Sequence, residues 1–221
     1  MTTQDWDAAR ASRLLLEIGA VHIRPGQPFT YTSGRVGPVY VDCRKVISFP
    51  RARRALIGMM ADRVEREIGL ESLEAVAGGE TAGIPYAAWL SDALGLPMLY
   101  VRKKPKGFGR NAQIEGEFAP GARVLLVEDL SNDGGSKLAF AEAMRKAEAV
   151  VSDCMVVFSY EAPGARETMA KSGLRLHALA NWTTVLAAAI EGGRIQAGDA
   201  DVVRAFLADP VAWSVAHGGK D

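Results

Sequence analysis

Two neighbouring carboxylates, Glu128 and Asp129, come directly after an apolar run that predicts a buried strand, Arg123–Val127. They are followed by hydroxyl, amide and glycine residues, and then by an amphipathic helix that begins near Ser136. A strand, a polar glycine-containing loop and a helix are a common phosphate-binding arrangement, because glycine lets the backbone approach and the helix N-terminus presents free N–H groups. Carboxylates repel phosphate, so we expect the acidic pair to bind something beside it, such as sugar hydroxyls or a metal ion.

The residues after the acidic pair offer the donors that a sugar phosphate needs. Residues 133–136 supply backbone N–H groups, and the side chains of Ser131, Asn132 and Ser136 supply hydrogen bonds of their own. A capped turn with two solvated acids is the plainer interpretation. Such a turn does not require two acids, two glycines and three hydrogen-bonding side chains together, so a site for phosphate and ribose is favoured.

A second distinctive stretch, residues 102–110, follows a predicted strand that ends at Val101. It combines glycine and proline with five cations, which are Arg102, Lys103, Lys104, Lys106 and Arg110. This composition suits a mobile loop that neutralises a polyanion such as pyrophosphate. A solvated basic loop is the alternative, and the nearby phosphate loop favours the first interpretation.

Periodicity places both stretches in an α/β fold. The predicted strands cover residues 73–77, 97–101, 123–127, 150–158 and 174–179. The predicted helices that alternate with them or follow them cover residues 83–94, 136–148, 164–171, 183–191 and 199–207. This alternation indicates a mainly parallel central sheet flanked by helices. Because the loops after parallel strands share one sheet edge, we expect residues 78–82, 102–117 and 128–135 to converge.

The N-terminal part of the chain falls outside this alternation. Helices are predicted over residues 5–19 and 50–68, and β-like segments over 28–33 and 39–46. We expect residues 20–48 to form a small β piece over the edge where the loops converge, within a single domain that spans residues 1–221.

Composition restricts the functional classes. Acidic and basic residues balance at 26 each, which argues against a nucleic-acid partner held by bulk charge. Cys43 and Cys154 lie far apart in apolar segments, so buried reduced thiols are favoured over a disulfide or metal site. No apolar run reaches the ~18 residues that a membrane helix needs, and the first residues lack the pattern of a signal peptide. We therefore expect a soluble cytoplasmic protein without membrane contact.

Several motifs together resemble a known enzyme family. The segment 127–136 is similar in order and residue type to the 5-phosphoribosyl-1-pyrophosphate (PRPP) motif of the type I phosphoribosyltransferases. Within that superfamily the chain resembles the orotate phosphoribosyltransferases in the basic loop with Ile114-Glu-Gly116, in Phe29–Arg35 with Pro38–Asp42, and in Gly78–Pro85. The resemblance implies the type I phosphoribosyltransferase fold, an α/β fold with a mainly parallel central sheet and a small N-terminal hood.

The same resemblance implies a glycosyltransferase that moves the phosphoribosyl group of PRPP to orotate in pyrimidine biosynthesis, giving orotidine 5′-monophosphate and pyrophosphate. The implied catalytic residues are Glu128, Asp129 and Lys103. The implied PRPP-binding residues are Arg102, Lys103, Lys106, Glu128, Asp129, Leu130, Ser131, Asn132, Asp133, Gly134, Gly135 and Ser136. The implied orotate-binding residues are Thr32, Val39, Tyr40 and Asn132. No metal ligand is assigned, because Mg²⁺ is held mainly through PRPP, and a homodimer with a shared basic loop is implied.

The chain departs from that family where charged contacts are expected. Thr32 and Ala82 replace lysines, Phe108 replaces a histidine, and no arginine follows the 150–158 strand near Tyr160. Losing one partner of a buried charged contact costs on the order of 2–5 kcal/mol, so other cations would have to compensate. The candidates are Arg35, Arg44, Lys45, Lys104 and Arg110.

Two alternative functions therefore stay open. One is a phosphoribosyltransferase for another base, and the other is a non-catalytic regulator that binds PRPP or a nucleotide. The set Arg102, Lys103 and Lys106 argues against the regulator, which has no leaving group to neutralise. The segment 135–137 matches only the end of a Walker A motif, so a P-loop ATPase is excluded.

Overall fold

The structure is a computed structural model that describes residues 3–106 and 113–221. The described residues fall into two compact units. The residues up to Val46 together with Trp182–Asp221 form the first, which we call the terminal unit. Ile47–Asn181 form the second, the central unit.

Helices and strands are numbered in chain order over the described residues. The helices are α1 (Thr3–Glu17), α2 (Pro50–Arg63), α3 (Gly83–Leu94), α4 (Gly135–Lys146), α5 (Ala165–Lys171), α6 (Trp182–Glu191), α7 (Ala197–Ala208) and α8 (Pro210–Ala216). The strands are β1 (Val21–Ile23), β2 (Phe29–Thr30), β3 (Val36–Gly37), β4 (Val39–Val41), β5 (Ala75–Gly79), β6 (Met98–Val101), β7 (Ile114–Glu115), β8 (Val124–Ser131), β9 (Asp153–Ser159) and β10 (Arg175–Asn181). None of the described helices combines the length and the apolar character needed to span a bilayer.

A six-stranded sheet organises the central unit, in the order β10-β9-β8-β5-β6-β7. Each neighbouring pair is parallel except β6 and β7, which are antiparallel. This confirms the predicted α/β fold with a mainly parallel sheet. The apolar run of β8 is continuous because this strand lies in the interior of the sheet and both of its faces are covered.

Helices cover the sheet and leave the strand ends open to the loops. α4 packs on β8 and β6, and its Phe140 and Met144 belong to the same buried cluster as Leu126 and Val156 of the sheet. α3 packs on β5 and β8, while α2 packs on α3 and β9. These contacts set the direction in which the loops after β5 and β8 leave the sheet.

Some predicted boundaries differ from the observed ones. The helix predicted over 50–68 ends at Arg63 and continues as a π-helical turn, Val64–Ile68. The strand predicted over 39–46 ends at Val41, and a 3₁₀ helix follows at Cys43–Ser48. The helix α8 was not predicted, although Asp209 caps it in the ordinary way by accepting a bond from the backbone N–H of Ala212.

The terminal unit joins segments from both parts of the sequence. α1 packs on α6, where Ser12 Oγ and Thr184 Oγ1 are hydrogen-bonded at 2.9 Å. β1 pairs with β4 and β2 pairs with β3, both antiparallel. The backbone N–H of Val36 donates to Ser214 Oγ of α8 at 2.9 Å. Residues 20–46 of the β piece predicted at 20–48 thus belong to a unit that also contains the last three helices.

Candidate active site

The central unit brings three predicted loops to one edge of its sheet. The register pairs Gly79 of β5 with Val101 of β6, and Gly78 of β5 with Val127 of β8. These strands are parallel, so the segments that leave their carboxyl ends start side by side. The segments are Glu80–Ala82, the basic loop from Arg102, and the loop before α4.

The acidic pair lies inside a strand, which corrects the prediction that the strand ends at Val127. β8 continues to Ser131, because its pairing with β9 extends to the partners Glu128↔Val156 and Ser131↔Ser159. Glu128 and Asp129 are 6% and 7% exposed, respectively. The two acids are therefore held by the ladder rather than by a loop, and their positions are set by β9.

Glu128 fits into the sheet because glycines face it. A Cβ on Gly79 would lie 2.2 Å from Glu128 Oε1, and a Cβ on Gly83 would lie 3.0 Å from the same atom. Such distances are too short for any other residue to occupy these two positions without movement. The sequence Gly78–Gly83 thus provides the space that the carboxylate fills.

The surroundings of Glu128 disfavour its negative charge. Burial raises the pKa of Glu128 to about 8; the Lys137 ammonium opposes this rise, and the Asp129 carboxylate adds to it. Near neutral pH the pair therefore holds a proton that two solvated carboxylates would have released.

The loop that follows β8 ends in a helix start with open N–H groups. Gly134 has a φ of +83°, and a Cβ there would lie 2.7 Å from Met169 Sδ. The backbone N–H of Gly135 donates to Asp133 Oδ1 at 3.0 Å. Over the described residues no side chain caps α4, and Asn132 and Ser136 are exposed. This arrangement can bind a phosphate through the helix N-terminus.

Ser131 and Leu130 lie below that loop rather than in it. The side chain of Ser131 is buried, and its Oγ has no hydrogen-bond partner among the described residues. Its carbonyl oxygen accepts from the backbone N–H of Tyr160 at 2.8 Å. Leu130 is half-buried and pairs in register with Phe158. The structure therefore brings together Asn132, Asp133, Gly135 and Ser136 at the surface, with Gly134 buried between them and Ser131 beneath them.

The basic loop starts from a hairpin formed by β6 and β7. Arg102 and Gln113 are joined by two hydrogen bonds of 2.8 Å, Arg102 N to Gln113 O and Gln113 Nε2 to Arg102 O. Glu115 Oε1 lies 2.8 Å from Arg102 Nε and 2.5 Å from Lys106 Nζ. The hydrogen bond to Lys106, followed by that to Arg102, lowers the pKa of Glu115. An incoming anion must compete with this carboxylate for both cations.

Lys103 lies next to the loop after β5. Its backbone N–H donates to Glu80 Oε2 at 2.8 Å, while its side chain is exposed. The peptide bond between Glu80 and Thr81 is cis. The hydrogen bond from Lys103 to Glu80 connects two of the three loops at this edge. Phe108 and Arg110 lie outside the described residues.

The chain is similar to known proteins over most of its length. No family model matches the chain. The orotate phosphoribosyltransferase of Jannaschia sp. (strain CCS1) is 50% identical over 207 residues, which is 93% of this chain and 91% of that protein. The chain belongs to the orotate phosphoribosyltransferase family.

Solved structures of this family share the fold. The orotate phosphoribosyltransferase from Aeropyrum pernix is 31% identical with a TM-score of 0.70, over 83% of this chain and 98% of that one. The Mycobacterium tuberculosis H37Rv orotate phosphoribosyltransferase in complex with PRPP is 27% identical with a TM-score of 0.63, over 80% of this chain and 98% of that one. The predicted type I phosphoribosyltransferase fold is thereby confirmed.

The residues predicted to bind orotate, apart from Asn132, lie in the terminal unit. Thr32 is exposed and Val39 is buried. Tyr40 is 45% exposed, and its ring lies 6.0 Å from that of Phe29. The hydroxyl of Tyr31 donates to the Val39 carbonyl at 2.6 Å, and burial raises the pKa of Tyr31 to about 12. Tyr40 therefore offers an open aromatic ring, whereas Tyr31 is engaged in the packing of its own unit.

The positions that the sequence analysis marked as departures from the family pattern have distinct surroundings. Ala82 is buried directly before α3. No arginine stands directly after β9 in the sequence, and Arg166 of α5, six residues beyond Tyr160, pairs with Glu161 Oε1 at 3.1 Å. Of the candidate replacement cations, Lys45 Nζ donates to the Gly19 carbonyl at 2.9 Å and is used structurally.

Lys137 is a residue of this edge that sequence reasoning missed. Its side chain is 7% exposed, and its Nζ lies 4.0 Å from Glu128 Oε2. The signal was present, because Lys137 shares one helix face with Phe140, Ala141 and Met144 at spacings of three, four and seven residues. That spacing places a lysine on the buried face of α4.

The opposite edge of the sheet carries a separate set of groups. A cavity of about 220 Å³ opens there, between Arg123, Asp153 and Arg175 at the starts of β8, β9 and β10. His177 Nε2 lies 2.7 Å from Asp153 Oδ1, and its Nδ1 lies 3.1 Å from Glu67 Oε2. This network ties β9 and β10 to the π-helical turn and takes no part in the edge that carries the loops.

Proposed function

We infer that this protein transfers the phosphoribosyl group of PRPP to orotate, giving orotidine 5′-monophosphate and pyrophosphate. The observation that carries the inference is the meeting of three segments at one sheet edge in a member of this family. The segments are the acidic end of β8 with its helix start, the loop after β5, and the basic loop after β6.

We assign the sugar-phosphate half of PRPP to β8 and the start of α4. The uncapped start of α4, with Asn132 and Ser136 exposed beside it, suits the 5′-phosphate, which would compete with Asp133 Oδ1 for the N–H of Gly135. The carboxylates of Glu128 and Asp129 suit the ribose hydroxyls, which donate hydrogen bonds to them. Hydrogen bonds from these hydroxyls would stabilise the negative charge of the acid pair, which is poorly solvated because both residues are buried.

We assign the leaving group to the basic loop. As the bond from the anomeric carbon to pyrophosphate breaks and the bond to the orotate nitrogen forms, positive charge grows on the sugar and negative charge on pyrophosphate. The negative charge on pyrophosphate would be stabilised by Arg102, Lys103 and Lys106. Arg102 and Lys106 would first have to leave Glu115. No covalent nucleophile is required, since positioning and charge stabilisation supply the rate.

Mg²⁺ fits this site as an ion bound mainly through PRPP. Over the described residues no group of three or more His, Cys, Asp or Glu side chains is arranged so that it could hold a metal ion. The acids at this edge, Glu128 and Asp129, are buried and held within a strand. The donor set therefore suits Mg²⁺ that keeps water and substrate oxygens as ligands. When bound, the ion neutralises negative charge on the pyrophosphate oxygens.

The remaining assignments are proposals of the same kind. Thr32, Val39, Tyr40 and Asn132 would contact orotate, and Tyr40 has the exposed ring needed for stacking on a planar base. We also propose a cytoplasmic homodimer in which each basic loop serves the neighbouring subunit. Each subunit would be a single phosphoribosyltransferase domain with a hood at about residues 20–48.

One assay separates the three functional hypotheses. Pyrophosphate release from PRPP is measured with Mg²⁺ and, in turn, orotate, uracil, hypoxanthine and adenine. Release with orotate alone is the expected result. Release with another base and none with orotate would identify a different phosphoribosyltransferase, while PRPP binding without release would identify a regulator.

A further inference from the structure

Lys137 lies on the buried face of α4, where a cation requires compensation. It shares this face with Phe140, Ala141 and Met144, which are all buried. A buried ammonium is costly unless opposite charge and hydrogen bonds offset the loss of water. The partners of its Nζ therefore indicate what the residue does.

Those partners belong to both parts of the proposed PRPP site. Lys137 Nζ donates to Ser136 Oγ at 3.2 Å and lies 4.0 Å from Glu128 Oε2. An ammonium has three N–H donors, so the bond to Ser136 leaves others to face Glu128. Because Ser136 Oγ accepts from Lys137, its own O–H is left to donate to a bound anion.

The other groups around Glu128 add no positive charge. Gly79 of β5 and Gly83 of α3 contact the carboxylate, and neither has a side chain that titrates. Asp129 adds negative charge. Burial raises the pKa of the Cys154 thiol on β9 to about 12, so this nearby group stays neutral near physiological pH. Within residues 3–106 and 113–221, Lys137 is the cation that faces Glu128.

We propose that Lys137 is a positioning residue whose ammonium favours the ionised form of Glu128, the form that accepts hydrogen bonds from the ribose hydroxyls of PRPP. The proposal rests on the function proposed above and adds a residue to it. Without the cation, Glu128 would face Asp129 uncompensated and would keep its proton to a higher pH. The protonated carboxyl has lost acceptor capacity and binds the hydroxyls less well.

The test is the pH dependence of kcat/KM for PRPP, which reports groups of the free enzyme. Lys137→Met should move the rise of kcat/KM to higher pH by about one unit, so that its value at the acidic end falls roughly tenfold relative to its own plateau. Lys137→Arg should restore the wild-type position of the rise. Lys146→Met removes an exposed lysine from the same helix and should leave the profile unchanged.

A double variant shows whether Lys137 acts through Glu128. In a Glu128→Gln background, Lys137→Met should change kcat/KM by less than about twofold, because the group it acts on is already gone. A loss that is equal in both backgrounds and independent of pH would overturn the proposal. Lys137→Gln replaces Lys137→Met if the latter does not fold.

Unfolding by urea tests the same coupling without turnover. The stability of Lys137→Met should fall with rising pH more steeply than that of Lys137→Arg, and Glu128→Gln should remove the difference. If the wild-type protein does not use orotate, the proposed function is wrong. The urea measurement would still show whether Lys137 and Glu128 are coupled. Equal pH dependence in Lys137→Met and Lys137→Arg would defeat the coupling itself.

Discussion

Individual residues at the sheet edge are held in states that a ligand must change. Glu128 is buried beside glycines, with its charge opposed by Asp129 and supported by Lys137. Arg102 and Lys106 share one oxygen of Glu115. PRPP or pyrophosphate would bind to charged groups that are already paired with each other, and so would change these pairings. Substitutions at single residues can therefore separate the effect of the site on stability from its effect on turnover.

Glu128→Gln should stabilise the folded protein at alkaline pH. Burial raises the pKa of Glu128 to about 8, so the folded protein keeps a proton that the unfolded chain has already released. The ionisation of Glu128 thus reduces the wild-type free energy of unfolding as pH rises from about 5 to 9, by an amount on the order of a few kcal/mol. Urea unfolding across this range measures the effect. A variant that loses stability with pH as steeply as the wild type would contradict the assignment.

Lys103→Ala should abolish most turnover while the fold remains intact. Removing one charge that stabilises a leaving group typically lowers kcat by roughly 10²- to 10³-fold. Steady-state rates with PRPP and orotate measure the loss, and far-ultraviolet circular dichroism checks the fold. Lys104→Ala removes the same charge one residue further along and should have a much smaller effect. Equal losses in the two variants would mean that only the total charge of the loop matters.

Secondary-structure elements fit together at this edge through glycine. A Cβ on Gly78 would lie 2.5 Å from the Gly83 carbonyl oxygen, so β5 and the start of α3 meet backbone to backbone. On the other side of β5, Gly79 faces Glu128 and Phe140. The close approach of three elements leaves room for one buried carboxylate and little else.

Gly79→Ala should destabilise the protein by about 1–3 kcal/mol, because the added methyl group forces Glu128 and Phe140 to move. The free energy of unfolding in urea measures this. Gly58→Ala is the control, since a Cβ at this α2 position meets nothing within 4 Å. That control should raise stability by roughly 0.5–1 kcal/mol through helix propensity. If both variants are equally stable, the close approach at Gly79 does not exist.

Asp153→Asn should loosen the connection of β9 and β10 to the π-helical turn. Burial alone would raise the pKa of Asp153, but hydrogen bonds from His177 and Arg175 overcome burial and lower it. Its contribution to stability is therefore present above the ordinary carboxyl pKa and is lost as pH falls through the lowered one. We expect a loss of roughly 1–3 kcal/mol near neutral pH that shrinks towards pH 3.

Asp201→Asn is the matched control for that measurement. Asp201 pairs with Arg204 on the exposed face of α7, where both side chains are more than half exposed. Exposed pairs contribute little, so thermal or urea unfolding should hardly change. A loss for Asp153→Asn that is independent of pH would point to packing rather than to charge.

At the scale of the whole molecule, residues far apart in sequence are brought together. The terminal unit unites α1 with α6, and Arg194 donates to the Leu16 carbonyl at 3.1 Å. The central unit completes its sheet edge within one chain, except for the tip of the basic loop, which lies outside the described residues. The proposed exchange of this loop between subunits can be tested by mixing inactive variants.

Lys103→Ala and Glu128→Gln should complement each other if the loop serves the neighbouring subunit. In a mixed dimer, one site would combine an intact acidic pair with an intact loop, and the other site would lack both. Random exchange of equal amounts should then recover about a quarter of wild-type activity. Activity after mixing and unfolding-refolding measures the recovery, with each variant treated alone as control. No recovery in a protein that is dimeric by light scattering would place each loop in its own site.

Local pattern was enough to predict much of this protein. The order of strands and helices, the acidic pair, the open helix start and the basic loop all follow from periodicity and from residue types within short windows. These features depend on neighbours in sequence, so they can be recognised without knowing the fold.

Tertiary structure decided the features that depend on distant partners. β8 continues through Glu128 and Asp129 because β9 pairs with it, and Lys137 becomes a buried cation because α4 packs on the sheet. Glu115 meets Arg102 because β7 returns beside β6. Hydrogen-bond ladders and burial are set by contacts between segments far apart in the chain. The sequence by itself therefore determined which chemistry is present, and the fold determined which charges are buried, paired or free to act.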